Sequence, residues 1–393
     1  MRDIRARAEA LSGEIVRWRR GFHQIPEIGF DTAETEKRII AALGEMGITE
    51  LRSGIAGHGV AALIRGQNPG GCLALRADCD GLPVREETGL PFASRNGNAH
   101  ACGHDAHMAM LLGAAKILCQ NRSALKGTVK LIFQPYEEGA LGAAAMIREG
   151  VLDNPRTDAA AGLHTGSLFK GIPAGCFGYR SGRLNASVAE FSVVFTGKGG
   201  HASTPHLTVD PIMMAAQAVV QLEIMAGREL PPGSGVLSVT RLSGGSAHNI
   251  TPESCQIQGT VRALAPESDV YLRGRLEDIC RHIAESGRGS AQVTYDARCP
   301  AIANDPALTE TLRRVLTGLF GEKDVVLIHD AAMFGEDMSE YTQRVPGVYF
   351  FHSSVFGDGR DYPHHHPKFT VNEDVLWRGS AALAAFAMNW DSP

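Results

Sequence analysis

Residues 100–107 read His-Ala-Cys-Gly-His-Asp-Ala-His, which packs one thiol, three imidazoles and a carboxylate into eight positions. These are the side chains that hold divalent transition metals. A fold that gathers them must let the backbone turn between Cys102 and His104, and Gly103 permits that turn. The run is read as half of a metal site rather than as a polar loop, because a reactive thiol kept among imidazoles needs a reason to be there. The stretch that follows, 108–118, is apolar, Ala-rich and free of proline, and predicts a helix.

Neighbouring segments repeat the arrangement. Short apolar runs over 60–64 and 73–77 predict strands, the second of which delivers Asp78 and Asp80. A run over 129–133 ends in Gln134-Pro135-Tyr136-Glu137-Glu138-Gly139 and leads into a helix over 141–147, and a run over 159–163 ends at His164. Three strands thus carry metal-ligating or acid–base groups at their carboxyl ends, with helices between them, which is how open α/β sheets place sites. Upstream, Ile4, Ala8, Leu11, Ile15 and Trp18 recur at helical spacing and predict one amphipathic helix, and Asp31 or Thr32 can cap a second that Gly47 would end. From residue 187 the chain alternates, turns through Gly197-Lys-Gly-Gly200 and His201, and continues with a helix over 211–226, strands over 235–242 and 255–263, a helix over 269–285 and a strand over 292–295. That β-α-β-β-α-β order suggests a ferredoxin-like α+β unit inserted into the first domain. A helix over 306–320, strands over 325–328 and 347–351 and a closing helix over 375–388 complete the chain. At 393 residues it exceeds one ordinary core. The expected organisation is α/β: a catalytic metal-binding domain of residues 1–185 and 298–393, and an inserted domain of residues 186–297.

Glu137 and Glu138 are adjacent, so one carboxylate can bind a metal while the other serves as a base without being consumed as a ligand. His164 can be a ligand or a satisfied core histidine. His364, His365 and His366, before Pro367, supply at least one further imidazole. A closed structural zinc site usually uses paired cysteines such as Cys-x-x-Cys, and none is present. Cys102, His104, Glu138, His164 and one of the late histidines form a mixed donor set that suits a catalytic or dinuclear centre. No Gly-x-Ser-x-Gly elbow, P-loop or Gly-x-Gly-x-x-Gly motif offers another chemistry. The formal net charge of −5, with no basic block, argues against nucleic acid and for a small-molecule substrate. No run of eighteen apolar residues suggests a membrane span. The eight cysteines are too dilute for a disulfide framework, so the expected setting is the cytoplasm.

Eight segments, taken together, resemble the M20 metallopeptidase family: Arg76-Ala-Asp78-Cys-Asp80-Gly-Leu-Pro83, His100-Ala-Cys102-Gly-His104-Asp-Ala-His107, Phe133-Gln-Pro-Tyr-Glu137-Glu138-Gly139, Gly162-Leu-His164, Gly197-Lys-Gly-Gly-His201-Ala-Ser-Thr-Pro205, Asn249-Ile-Thr-Pro252, Gly259-Thr-Val-Arg262 and His365-His-Pro-Lys-Phe369. Within that family the sequence is similar to the amidohydrolase branch of hippurate, N-acyl-amino-acid and auxin-conjugate hydrolases. Cys79 and Gly81 depart from it, standing where Met and Ala are usual. The resemblance implies an aminopeptidase-like α/β catalytic domain with a lid that also dimerises. It implies two divalent metal ions per subunit (Zn, Mn, Co or Ni) on Cys102, His104, Glu138, His164 and His365, the last chosen by its distance from Pro367 and Phe369. Glu137 would be the general base, and His201 would reach a neighbouring subunit's site to stabilise the oxyanion. Asn249 and Arg262 would hold substrate, and Asp78 and Asp80 would orient ligands from behind. The implied activity is hydrolysis of N-acyl amino acids by a homodimer. The competing readings are an M20 dipeptidase or aminopeptidase, whose pocket should need an acidic partner for a free amino terminus, and a binding protein without turnover.

Overall fold

The structure, a computed structural model, describes residues 2–391, which fall into two units. The first comprises the segment ending at Leu184, Ile302–Asp330 and the segment starting at Asp337. Its apolar runs form an eight-stranded mixed sheet in the order Leu51–Ile55, Gly59–Arg65, Lys126–Gln134, Asn68–Asp78, Ala159–Gly166, Gly347–Ser353, Phe177–Tyr179 and Val325–Leu327. Asn68–Asp78 lies parallel to both Lys126–Gln134 and Ala159–Gly166, and Gly347–Ser353 is parallel to the latter. All eight residues of Ala159–Gly166 are buried, as a parallel strand covered on both faces requires. Because the three central strands run the same way, Asp78, the turn after Gln134 and His164 reach the same edge of the sheet.

Helices cover that sheet. The amino-terminal repeat forms two helices, Arg2–Ala10 and Ser12–His23, rather than one. The interruption is local: Leu11 N–H still bonds Arg7 O at 3.1 Å and Ile15 N–H bonds Leu11 O at 3.0 Å. Helix Ala33–Glu45 follows Thr32, but Thr32 makes no side-chain cap. Its free N–H groups are satisfied from outside the helix, where the Glu27 carboxylate accepts from Glu34 N at 3.1 Å and Thr35 N at 2.8 Å. Helix His104–Gln120 is the central one, buried along nearly its whole length, and it packs on Leu376–Asn389.

The second unit comprises Asn185–Ala301 and Ala331–Glu336. Four antiparallel strands lie in the order Gly235–Gly244, Ser254–Ala263, Ser187–Thr196 and Ser290–Cys299. Ser254–Ala263 alternates strictly between buried and partly exposed residues, so one face is core. Helices Pro211–Arg228 and Pro266–Ser286 cover that face. The first starts at Pro211 as expected, capped by the Asp210 carboxylate, which accepts Ile212 N–H at 2.8 Å. No helix among the described residues is long and apolar enough to cross a membrane, and all eight cysteines are free.

Candidate metal centre

Gly103 takes a left-handed conformation, φ 89°, directly before helix His104–Gln120, and this turn brings Cys102 and His104 to one cluster. Cys102, His104 and Glu138 each offer a ligand atom within 4.8 Å of the others, and Cys102, His164 and His364 do the same. The thiol is common to both groups. Its Sγ lies 3.5 Å from His164 Nε2 and 3.6 Å from His364 Nδ1. His104 Nε2 lies 3.8 Å from Glu138 Oε1 and 3.7 Å from Glu137 Oε2.

Of the late histidines, His364 is the one grouped with Cys102 and His164, while His365, the residue that the resemblance implies, lies beside Glu138. His365 sits in the left-handed region, φ 67°, with its ring partly in solvent and Nε2 3.4 Å from Glu138 Oε2. His366 is engaged elsewhere: its Nδ1 accepts Lys368 N–H at 3.0 Å, and its ring stacks on Tyr362.

Two of the candidate ligand rings have a fixed Nδ1 proton. His104 Nδ1 donates to the Asp80 carbonyl at 2.9 Å, and His164 Nδ1 donates to the Thr165 carbonyl at 2.8 Å. Each Nε2 is thereby turned into the cluster. The Asp80 carboxylate accepts Glu137 N–H at 3.0 Å and Glu138 N–H at 3.2 Å, so one residue fixes the His104 ring and both glutamates. The glutamate turn needs such support, since Tyr136 and Ala140 on either side have φ of 54° and 53°. Asp78 serves His107, which is not among the implied ligands. Its Oδ1 takes a 2.5 Å bond from His107 Nδ1 and lies 3.8 Å from His104 Nδ1.

His107 is a site residue to which sequence reasoning gave no role. Its Nε2 accepts Thr165 N–H at 2.9 Å, tying the helix to the strand that carries His164. The signal was its i,i+3 spacing from His104, which puts both rings on one helix face. Behind Asp78, Arg76 bridges to Asp337 at 2.8 Å, and Gln134 Nε2 donates to the same Asp337 carboxylate.

These groups fit divalent cations. His104 Nε2 and Glu138 Oε1 are buried without a hydrogen-bond partner among the described residues, and each such orphan costs roughly 1–3 kcal/mol unless something completes it. Burial, with Glu138 and Glu137 adding to it, raises the Cys102 thiol well above its ordinary range, and burial pushes Glu138 up to about 7. Burial opposes charge on His104, but Asp78, Asp80 and Glu138 overcome it and raise that imidazole to about 10. Cys102, Glu138 and His104 thus favour a proton or another positive charge, whereas burial holds His164 and His364 neutral, the form in which an imidazole can bind a cation.

The remaining candidates lie in the second unit. His201 is exposed, and its Nδ1 accepts Ser203 N–H at 3.2 Å. Asn249 is beside it, its carbonyl accepting Ala202 N–H at 3.0 Å. Arg262 is not with them. It pairs with Val188 at one end of the sheet, whereas His201 follows Thr196 at the other, a separation of roughly 27 Å over eight strand residues.

The sequence profile described as Peptidase family M20/M25/M40 matches residues 74–389. The chain is 38% identical over 377 residues to N-acetyl-L-cysteine deacetylase of Bacillus subtilis (strain 168), covering 95% of this chain and 87% of that one. It is 36% identical over 389 residues to thermostable carboxypeptidase 1 of Saccharolobus solfataricus, covering 96% and 95%. The fold superposes with a TM-score of 0.83 on the crystal structure of the Bacillus subtilis YXEP protein, described as a dinuclear metal binding peptidase from the M20 family, at 32% identity over 96% of this chain and 98% of that one.

Proposed function

The chain belongs to peptidase family M20/M25/M40, and from that premise we propose that it is a metal-dependent amidohydrolase that cleaves N-acyl amino acids to a carboxylic acid and a free amino acid. The observation that carries the reading is the cluster of Cys102, His104, Glu138 and His164 at one sheet edge, with Glu137 alongside. These four residues, with one imidazole of the pair His364 and His365, would hold two divalent cations. When bound, such ions acidify a water and polarise the amide carbonyl.

The chain's own residues supply the remainder. Glu137, its backbone pinned by Asp80, takes the proton from water and returns it to the leaving amine, a role worth roughly 10²–10⁴ in rate. His201 accepts Ser203 N–H on Nδ1, so the neutral ring carries its proton on Nε2, the donor that a developing oxyanion requires. Arg262 offers a guanidinium to the substrate carboxylate, with Asn249 as a further polar contact. An N-acyl amino acid and a peptide's carboxyl-terminal residue both place a free carboxylate next to the scissile amide. The deacetylase and carboxypeptidase relatives are compatible with one such pocket.

His201 and Arg262, at opposite ends of one sheet, reach a single small substrate if two copies of the chain contribute. Helix Pro211–Arg228 carries Met213, Val220 and Ile224, 56%, 58% and 51% exposed, and strand Gly235–Gly244 has an unpaired edge; together they suit a homodimer contact. Hydrolysis of a panel of N-acetyl, N-benzoyl and longer N-acyl amino acids with Zn, Mn, Co or Ni tests the assignment. Turnover restricted to peptides with a free amino terminus would replace it with a dipeptidase.

A further inference from the structure

His364 looks like a third donor beside Cys102 and His164, but its hydrogen bonds say otherwise. The backbone N–H of Ser167 donates to His364 Nε2 at 3.0 Å. A peptide N–H is a donor at any pH, so that bond occupies the Nε2 lone pair. A neutral imidazole has one lone pair and one proton. With Nε2 accepting, the proton must sit on Nδ1, which is the atom that faces Cys102 Sγ at 3.6 Å. A cation needs a lone pair there, and the ring as placed offers hydrogen instead.

His104 and His164 are wired the opposite way. Their Nδ1 atoms face carbonyl oxygens, which only accept, so each Nδ1 keeps a proton and each Nε2, the nitrogen a cation would take, turns inward. His365 also has its nitrogens available: neither forms a hydrogen bond among the described residues, and Nε2 approaches Glu138 Oε2 at 3.4 Å.

We propose that His364 is a positioning residue that donates an Nδ1–H hydrogen bond to the Cys102 thiolate, which leaves the fifth ligand place to His365, the residue that the family resemblance already implies. The inference rests on the metal-site reading above and adds to it how the shared sulfur is held. The pocket for the ring is built into the backbone. Gly166 has φ 118°, and a Cβ there would lie 2.3 Å from His364 Nε2, so only glycine lets the ring reach Ser167. On its other side the ring meets Phe369 at a centroid distance of 4.5 Å. An N–H donor to a thiolate draws charge from sulfur and fixes its direction, so the Cys102 thiolate is oriented before substrate arrives.

The test uses full-length protein with the metal removed and Co(II) restored, comparing wild type with His364→Leu, His364→Gln and His365→Leu. Cobalt per folded chain is counted after equilibrium dialysis, and the near-ultraviolet sulfur-to-cobalt absorption is recorded. His364→Leu should keep two ions, bind them about tenfold more weakly, and shift the sulfur band to longer wavelength, because the sulfur lone pair is no longer lowered by a donor. His364→Gln, which restores an N–H donor, should bring the band part of the way back. His365→Leu should lose one ion. Loss of an ion from His364→Leu with both retained in His365→Leu overturns the proposal, as does an unmoved band in His364→Leu. Wild-type protein that takes up no cobalt would instead refute the metal-site reading itself.

Discussion

Asp80 is the residue whose loss should be most informative. Its carboxylate accepts the N–H groups of both Glu137 and Glu138, in a turn flanked by two non-glycine residues at positive φ. Asp80→Asn keeps the shape but leaves one acceptor oxygen for two donors and directs an NH2 at the other. A buried hydrogen bond to a charged group contributes roughly 1.5–3 kcal/mol, and an orphaned donor costs roughly 1–3 kcal/mol. Losing one bond and weakening its neighbour should therefore cost about 3 kcal/mol, or roughly a hundredfold at about 1.4 kcal/mol per decade. The turn must keep its form to present Glu138 to a cation and Glu137 to water, so the loss should be read in metal affinity and kcat more than in KM. Chelator competition gives the first and steady-state hydrolysis the second. An Asp80→Asn enzyme with wild-type affinity and wild-type kcat would refute the claim that this carboxylate holds the turn.

Glu137→Gln should retain both ions by elemental analysis while kcat falls by about 10²–10⁴; equal activity would remove Glu137 as the base. His201→Ala should lower kcat by roughly 10²–10³ with a smaller change in KM, and an intact dimer with unchanged kcat would remove that role. Metal affinity should fall with pH. Without cations Cys102 holds its proton through burial and the nearby glutamates, and Glu138 titrates at about 7, so protons compete more strongly as pH drops below 7. Affinity is expected to weaken by about tenfold or more per unit on that side, with protons released on binding in calorimetry across buffers; affinity flat from pH 8 to 6 would contradict this.

Much of the sheet was legible because its central strands are apolar runs that end in chemistry-bearing residues. Leu51–Ile55 was not, since Leu-Arg-Ser-Gly-Ile is an edge strand with a bulge and three exposed residues. Phe177–Tyr179 was also missed, being only three residues long. Helix Ala33–Glu45 was foreseen but its cap was not, because Glu27 closes the helix end from outside it. At the site, the grouping of Cys102 with His104 and the placing of Glu138 and His164 near strand ends were visible in the sequence, although position alone left His164 open between ligand and core histidine. The motif spacing singled out His365, but the separate role proposed for His364 could not be read. It depends on a hydrogen bond from Ser167, 197 residues away in sequence, and on the left-handed backbone at His365. His107 lies in the most conspicuous run of the chain, yet its task of joining Asp78 to the Thr165 backbone is visible only once helix and strand are side by side.

The central claim is that buried thiol, imidazole and carboxylate donors hold the cations on which amide hydrolysis depends. It is tested most directly by following release of the amino acid from an N-acyl amino acid before chelation, after exhaustive dialysis against a chelator, and during titration with a divalent ion. The account predicts that the rate vanishes on chelation and returns as two equivalents per chain are added. Hydrolysis that persists unchanged in the stripped protein would contradict it.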